Sequence, residues 1–133
     1  MREIKFRGWD KELNFMINIK RYKIDFNGQV LFDNNDKELY NQTNKIELMQ
    51  YTGFKIKNKE VYEGDIIKGR KDTVYKVVFE RGCFFLYHVN LFNPDKNNLR
   101  WGLLSRLFDS DMIDIEKDCE IIGNIHENPE LLN

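Results

Sequence analysis

Three carboxylates within six residues, Glu60, Glu63 and Asp65, are the side chains of this sequence best suited to acid–base or metal chemistry. Paired acids can pass a proton in general acid–base catalysis or hold a divalent ion. Glu63 and Asp65 stand two apart, so a straight strand would place both on one face. Gly64 lies between them, however, and a glycine there marks a bend. The competing reading is a turn in which Gly64 takes the strained backbone position and Asp65 accepts hydrogen bonds from nearby amides. The turn is the preferred expectation, and a metal held by Glu63 and Asp65 is the alternative.

Other reactive side chains lack a frame. His88 and His126 are too far apart to pair through local spacing. His126 adjoins Glu127 and could serve as a base or ligand; with no second ligand at motif spacing, capping or packing is expected instead. Cys83 and Cys119 sit inside apolar runs and are expected to be buried free thiols rather than a disulfide or nucleophiles. There is no CxxC or Cys/His cluster for zinc, and Ser105 and Ser110, the only serines, have no GxSxG frame. Neither a P-loop nor a dinucleotide glycine fingerprint occurs. Asp33-Asn34-Asn35-Asp36 lacks the glycine and terminal glutamate of a calcium loop. These residues predict no cofactor and favour a protein that is not an enzyme.

Binding chemistry is better represented. Lys5, Arg7 and Trp9 alternate along one strand, Lys55 and Lys57 follow the same rhythm, and Lys68, Arg70 and Lys71 form a basic loop. Cations interleaved with aromatics can hold single-stranded nucleic acid. Opposing that reading, the sequence pI is about 6.1, whereas a dedicated nucleic-acid binder is usually basic. Charge is unevenly spread. Residues 1–23 carry seven Lys/Arg against three Asp/Glu, a net +4, and residues 109–133 carry one Lys against eight acids, a net -7. Such ends could attract within one fold or between subunits, though both can also be ordinary solvated faces.

The elements that must position these groups are strands. The chain has 133 residues, 41% hydrophobic and 14% aromatic, with no alanine, a balance that favours sheet over helix and supports a core without staples. Ile4–Phe6 and Leu13–Ile17 read as an N-terminal hairpin. Asn27-Gly28 predicts a type I′ turn between Ile24/Phe26 and Val30/Phe32. Val61–Ile67, Val74–Phe79 and Cys83–Val89 form the centre, the last two joined over Glu80-Arg81-Gly82. Leu99–Phe108 stays open: Leu103, Leu104, Leu107 and Phe108 have helical spacing, while Trp101 and Gly102 suit a strand. Asn128-Pro129-Glu130 caps a short terminal helical turn. The expected fold is mainly β, a small bent antiparallel sheet or SH3-like barrel with an N-terminal β-hairpin extension. One domain is expected over 1–133, with a hairpin region at 1–45 and a barrel-like region at 46–133. The N-terminal segment has no uninterrupted apolar core and no stretch has the length of a membrane span, so a cytoplasmic protein is expected.

Four stretches together resemble the YopX-like proteins of phages and prophages. They are Met1–Asp10; Met49-Gln50-Tyr51-Thr52-Gly53 with Val61–Ile67; Phe79–Phe84; and Glu120–Leu132. The resemblance runs from residue 1 to residue 132, with residues 19–45 and 88–115 carrying no pattern. It implies a small, mainly β phage or prophage protein and brings no catalytic residues with it. The matched positions Arg7, Trp9, Asp10, Tyr51, Gly53, Glu63, Gly64, Asp65, Gly123, Asn124, Asn128 and Pro129 become structural candidates. The expected role is an accessory protein-interaction module, self-associating in a bacterial host, with nucleic-acid binding or metal-dependent catalysis as the alternatives.

Overall fold

A computed structural model describes residues 3–33, 39–89, 99–108 and 114–132. The chain divides into two compact units, Ile4–Gln50 and Tyr51–Asn133 with Met1–Glu3. Most described residues lie in antiparallel strands, as the aromatic and β-branched composition requires.

In the first unit, β1 (Phe6–Asp10) pairs with β2 (Phe15–Ile17) and with the start of β6 (Ile46–Ile56). The β1–β2 turn is held by Asp10, whose carboxylate accepts from the amides of Glu12 and Leu13, each at 2.9 Å. Close approach fixes Gly8: an added Cβ would lie 2.9 Å from Ile46 Cγ2 and 2.7 Å from Ile17 Cδ1. A separate three-stranded sheet follows, from β3 (Tyr22–Ile24), β4 (Val30–Asp33) and β5 (Leu39–Asn41) in that order. Ile17, Val30 and Ile46 form the unit's small core.

The expected type I′ turn at Asn27-Gly28 is corrected here. Ile24 pairs with Val30, which leaves five residues in the loop, and only Gly28 has positive φ. A type I′ turn needs positive φ at both central residues. Asp25 prevents it by accepting from the amides of Asn27 and Gln29, at 2.9 and 2.8 Å. Paired left-handed residues occur instead at Lys57-Asn58 and Arg81-Gly82. Residues 34–36 of the acidic Asp33–Asp36 run lie outside the described residues.

In the second unit, the end of β6 pairs with β7 (Lys59–Tyr62), with a register shift around Gly53. A curled, barrel-like five-stranded sheet follows. Its members are β8 (Asp65–Lys68), β9 (Val74–Glu80), β10 (Cys83–Val89), β11 (Leu99–Leu103) and β12 (Glu120–Asn124), in the order β11-β10-β9-β8-β12. Val61, Ile67, Val77, Leu86 and Leu104 lie at the centre of a ten-residue core. Leu99–Phe108 is both elements at once. It pairs as β11 and then turns at Leu104 into α1 (Leu104–Phe108), so each sequence signal describes its own half. A second short helix, α2 (Ile115–Asp118), is capped by the Asp114 carboxylate, which accepts from Lys117 N at 3.1 Å.

Candidate functional site

The acidic turn that opens β8 joins three segments of the chain. Gly64 has φ +86°, a left-handed conformation that a residue with a Cβ adopts only at a cost. That conformation points its amide at Val77 O, at 2.9 Å, and its carbonyl at Ile125 N, at 2.9 Å. Asp65, only 2% exposed, accepts from Tyr62 N at 2.7 Å and so closes the turn. The arrangement is the expected one, with Gly64 as the bend and Asp65 as its tie.

Register places Asp65 opposite Asn124 on β12, and a second side-chain-tied turn begins there. Asn124 Oδ1 accepts from His126 N and Glu127 N at 3.0 and 2.9 Å. Asn128 returns its own Oδ1 to Asn124 N at 3.2 Å and its amide to Asn124 O at 2.9 Å. Gly123 is demanded by this return, because a Cβ there would lie 2.7 Å from Asn128 Cγ. Pro129 then starts the terminal 3-10 turn, Pro129–Leu132. The sequence-distant motifs around Glu63 and His126 thus meet at one end of the sheet. Their meeting is made of backbone hydrogen bonds and turn-tying carboxamide and carboxylate groups. Among the described residues, no group of three or more His, Cys, Asp or Glu side chains is placed to hold a metal ion.

The remaining reactive candidates are scattered. His88 packs its ring edge-on against Tyr75, with centroids 5.5 Å apart. Both cysteines are free thiols, but the expectation that both are buried is corrected: Cys83 is exposed at the start of β10, beside the Arg81-Gly82 turn. Cys119 is buried, and that burial pushes its thiol pKa up, which makes it a poorer nucleophile at neutral pH.

The basic candidates are divided between the two units. Lys5, Arg7 and Trp9 belong to the first unit, and Lys68, Arg70 and Lys71 to the second. Trp9 is 7% exposed, so its indole offers no open stacking face; its place is structural, as is that of the buried Asp10 beside it. In the loop, Lys68 pairs with Asp72 at 3.0 Å and Arg70 with Asp118 at 2.5 Å, while Lys71 stands exposed. Lys57 faces Glu120 at 3.8 Å. Hydrogen bonding to Arg70 holds the Asp118 carboxyl below its ordinary range, and Asp118 raises Arg70 in turn. The acidic C-terminal segment therefore meets Arg70 of the loop and Lys57, while Lys68 is paired within the loop itself.

One surface was not legible in the sequence. Register aligns Tyr22, Phe32 and Tyr40 across β3, β4 and β5, directly after the run Lys20-Arg21-Tyr22-Lys23. The local signal was that basic run; the aromatic row exists only once β5 is paired.

Comparison with known proteins gives one family. The model described as YopX protein matches residues 5–133, essentially the whole chain. No curated protein matches it.

Proposed function

The chain belongs to the YopX protein family, and from that premise we propose that it is a phage- or prophage-encoded accessory protein that works as a non-enzymatic interaction module. Its first partner is a second copy of itself, and it acts in the cytoplasm of the bacterial host. The observation that carries this reading is where apolar surface is left in water. Seven large hydrophobic residues are exposed among the described residues. Six of them, Ile4, Leu13, Phe15, Ile24, Phe26 and Tyr40, belong to the Ile4–Gln50 unit, and only Phe79 to the larger one. Exposed apolar side chains are ordinary singly, but their concentration in one small unit supports a role for that unit in partner binding. The acid turn supports the non-enzymatic half, since Asp65 is turned to its own backbone and not to an open cleft.

Leu13 and Phe15, 67% and 48% exposed at the β1–β2 turn, are the contacts assigned to self-association. Sedimentation velocity on the intact protein tests this. The expected result is a mass that rises between low and high micromolar protein, and a shift back to monomer in Leu13→Glu/Phe15→Glu with an unchanged circular dichroism spectrum. A single monomeric species at high micromolar concentration overturns it.

A further inference from the structure

We propose that the three-stranded sheet β3–β5 is a platform for single-stranded nucleic acid, distinct from the Leu13/Phe15 contact and independent of self-association. Three observations carry it. First, residues directly opposite one another in a sheet project to the same side, so Phe32 and Tyr40 share one face, with Tyr22 next to them. Tyr22 packs towards the unit's core, while Tyr40 is 46% exposed, so the row runs from interior to solvent. Second, the β3–β4 loop carries Phe26 at its tip, its side chain wholly in water. A phenyl ring held out on a side-chain-tied loop contributes no packing to the unit, but it has both faces open for a base.

Third, cations border these rings. Lys20 and Arg21 leave the 3-10 turn Ile19–Arg21, which Asn18 caps by accepting from Lys20 N at 3.1 Å; Lys23 follows on β3, where its pairing with Leu31 puts it on the sheet face opposite the rings. All three are exposed. Arg21 already places its guanidinium over the Phe32 ring, 5.3 Å from the centroid, and so presents a planar cation beside the aromatic row. Asp25, in the β3–β4 loop, is engaged by the amides of Asn27 and Gln29. A patch meant only for an apolar protein surface does not require two adjacent positive charges, one of them over the Phe32 ring. A polyanion with stackable bases uses both features, phosphates on the cations and bases on Phe26 and Tyr40. An open strand fits better than a duplex, whose bases are already stacked and offer no free faces to the rings.

The test is fluorescence anisotropy of the full chain with labelled oligothymidine and oligouridine of about 15 nucleotides, near the upper site size for small β modules. The expected result is binding at low salt that weakens as salt is raised. For single strands the slope of log K against log salt should become shallower by about 1.4 in Lys20→Gln/Arg21→Gln, roughly 0.7 for each phosphate that is no longer neutralised. Phe26→Ser should raise Kd by about 5- to 150-fold, the range for one base–aromatic stack. Tyr40→Ala should act in the same direction; should it disturb folding, Phe26→Ser decides alone, because its ring supports nothing. Stronger binding of oligouridine or of oligothymidine identifies the nucleic acid preferred, through the 2′-hydroxyl or the thymine methyl, and equal binding leaves stacking as the recognition; each supports the proposal. It is overturned by no binding at low salt, by affinity unchanged in Phe26→Ser, by tighter binding of a duplex of equal length, or by retention on anionic vesicles with no oligonucleotide binding.

Discussion

Asp65 and Asp118 show how differently two acids of one small unit are used. Asp65 is buried at a turn and accepts from an amide three residues back, a contact local enough to be read from Glu63-Gly64-Asp65 itself. Asp118 meets Arg70, forty-eight positions away in sequence, and nothing in either segment announces the pair. Trp9 escapes local reading for a related reason. Alternation puts it on the side of Lys5 and Arg7, yet Gly8, Trp9 and Asp10 are all buried, so both faces are covered at that end of β1. Period-two patterning reports one covered face and is silent about a second. The Arg70–Asp118 pair has a pH consequence. Its carboxyl is depressed in the folded chain relative to an ordinary value of 3.8. A group of that kind adds stability that is fully present above the unfolded value and is lost as pH falls through the folded one. Urea denaturation followed from pH 6 downwards should show wild type losing stability below about pH 4 with a steeper slope than Asp118→Asn. Because Arg70 is mostly exposed, the difference should shrink in high salt. Equal slopes for the two proteins would refute the assignment.

At the scale of elements, the two turns at the end of the sheet work as one joint. Gly64 O receives Ile125 N, Asp65 faces Asn124, and the Asn124–Asn128 exchange closes the second turn against Gly123. The first half was legible, because Gly64 and Asp65 are local turn chemistry; of the second only the Pro129 turn was legible, with Asn128 as its cap, and not the exchange between Asn124 and Asn128. The meeting of the two halves was not, since antiparallel pairing of β8 with β12 is a long-range fact. The same division explains the hairpins. Arg81-Gly82 turns as expected, whereas Asn27-Gly28 is overruled by the Asp25 side chain. Close packing of Gly123 on Asn128 makes a double-mutant cycle informative. Gly123→Ala forces a methyl group into the Asn128 side chain and should cost about 1–3 kcal/mol, the range for overpacking. Asn128→Ala loses the bond to Asn124 N at a cost of about 0.5–1.5 kcal/mol and opens the space. The double variant should therefore be more stable than the sum of the two single losses implies, since the added methyl no longer meets a carboxamide. Strict additivity in chemical denaturation would show that the two positions are not in contact.

Among the described residues the two core clusters are of unequal size, ten buried residues in the larger unit and three in the smaller. Charge follows the same division. The acidic C-terminal segment finds Arg70 and Lys57 within its own unit, so the asymmetry along the sequence is settled partly at home. Composition made the fold class legible, since a chain rich in Phe, Tyr, Val and Ile with no alanine could hardly build helices. It did not disclose that six of the seven exposed large hydrophobics among the described residues would fall on the smaller unit, because alternation cannot tell a face that meets a core from one left in water. A unit of this size with so few buried side chains has little stability in reserve. Any partner that covers its apolar surface adds stability by mass action, and if that partner is a second copy the gain depends on protein concentration. Amide hydrogen exchange on the intact chain reads this directly. Amides of β1, β2 and β4 should exchange faster than those of β9 and β10 at low micromolar protein, because opening a small core requires less free energy. At high micromolar protein, exchange in β1 and β2 should slow while β9 and β10 stay unchanged, and Leu13→Glu/Phe15→Glu should abolish the slowing. Exchange that is uniform across both units, or slow in β1 and β2 at every concentration, would mean that the smaller unit is stable by itself and that its exposed side chains do not serve self-association.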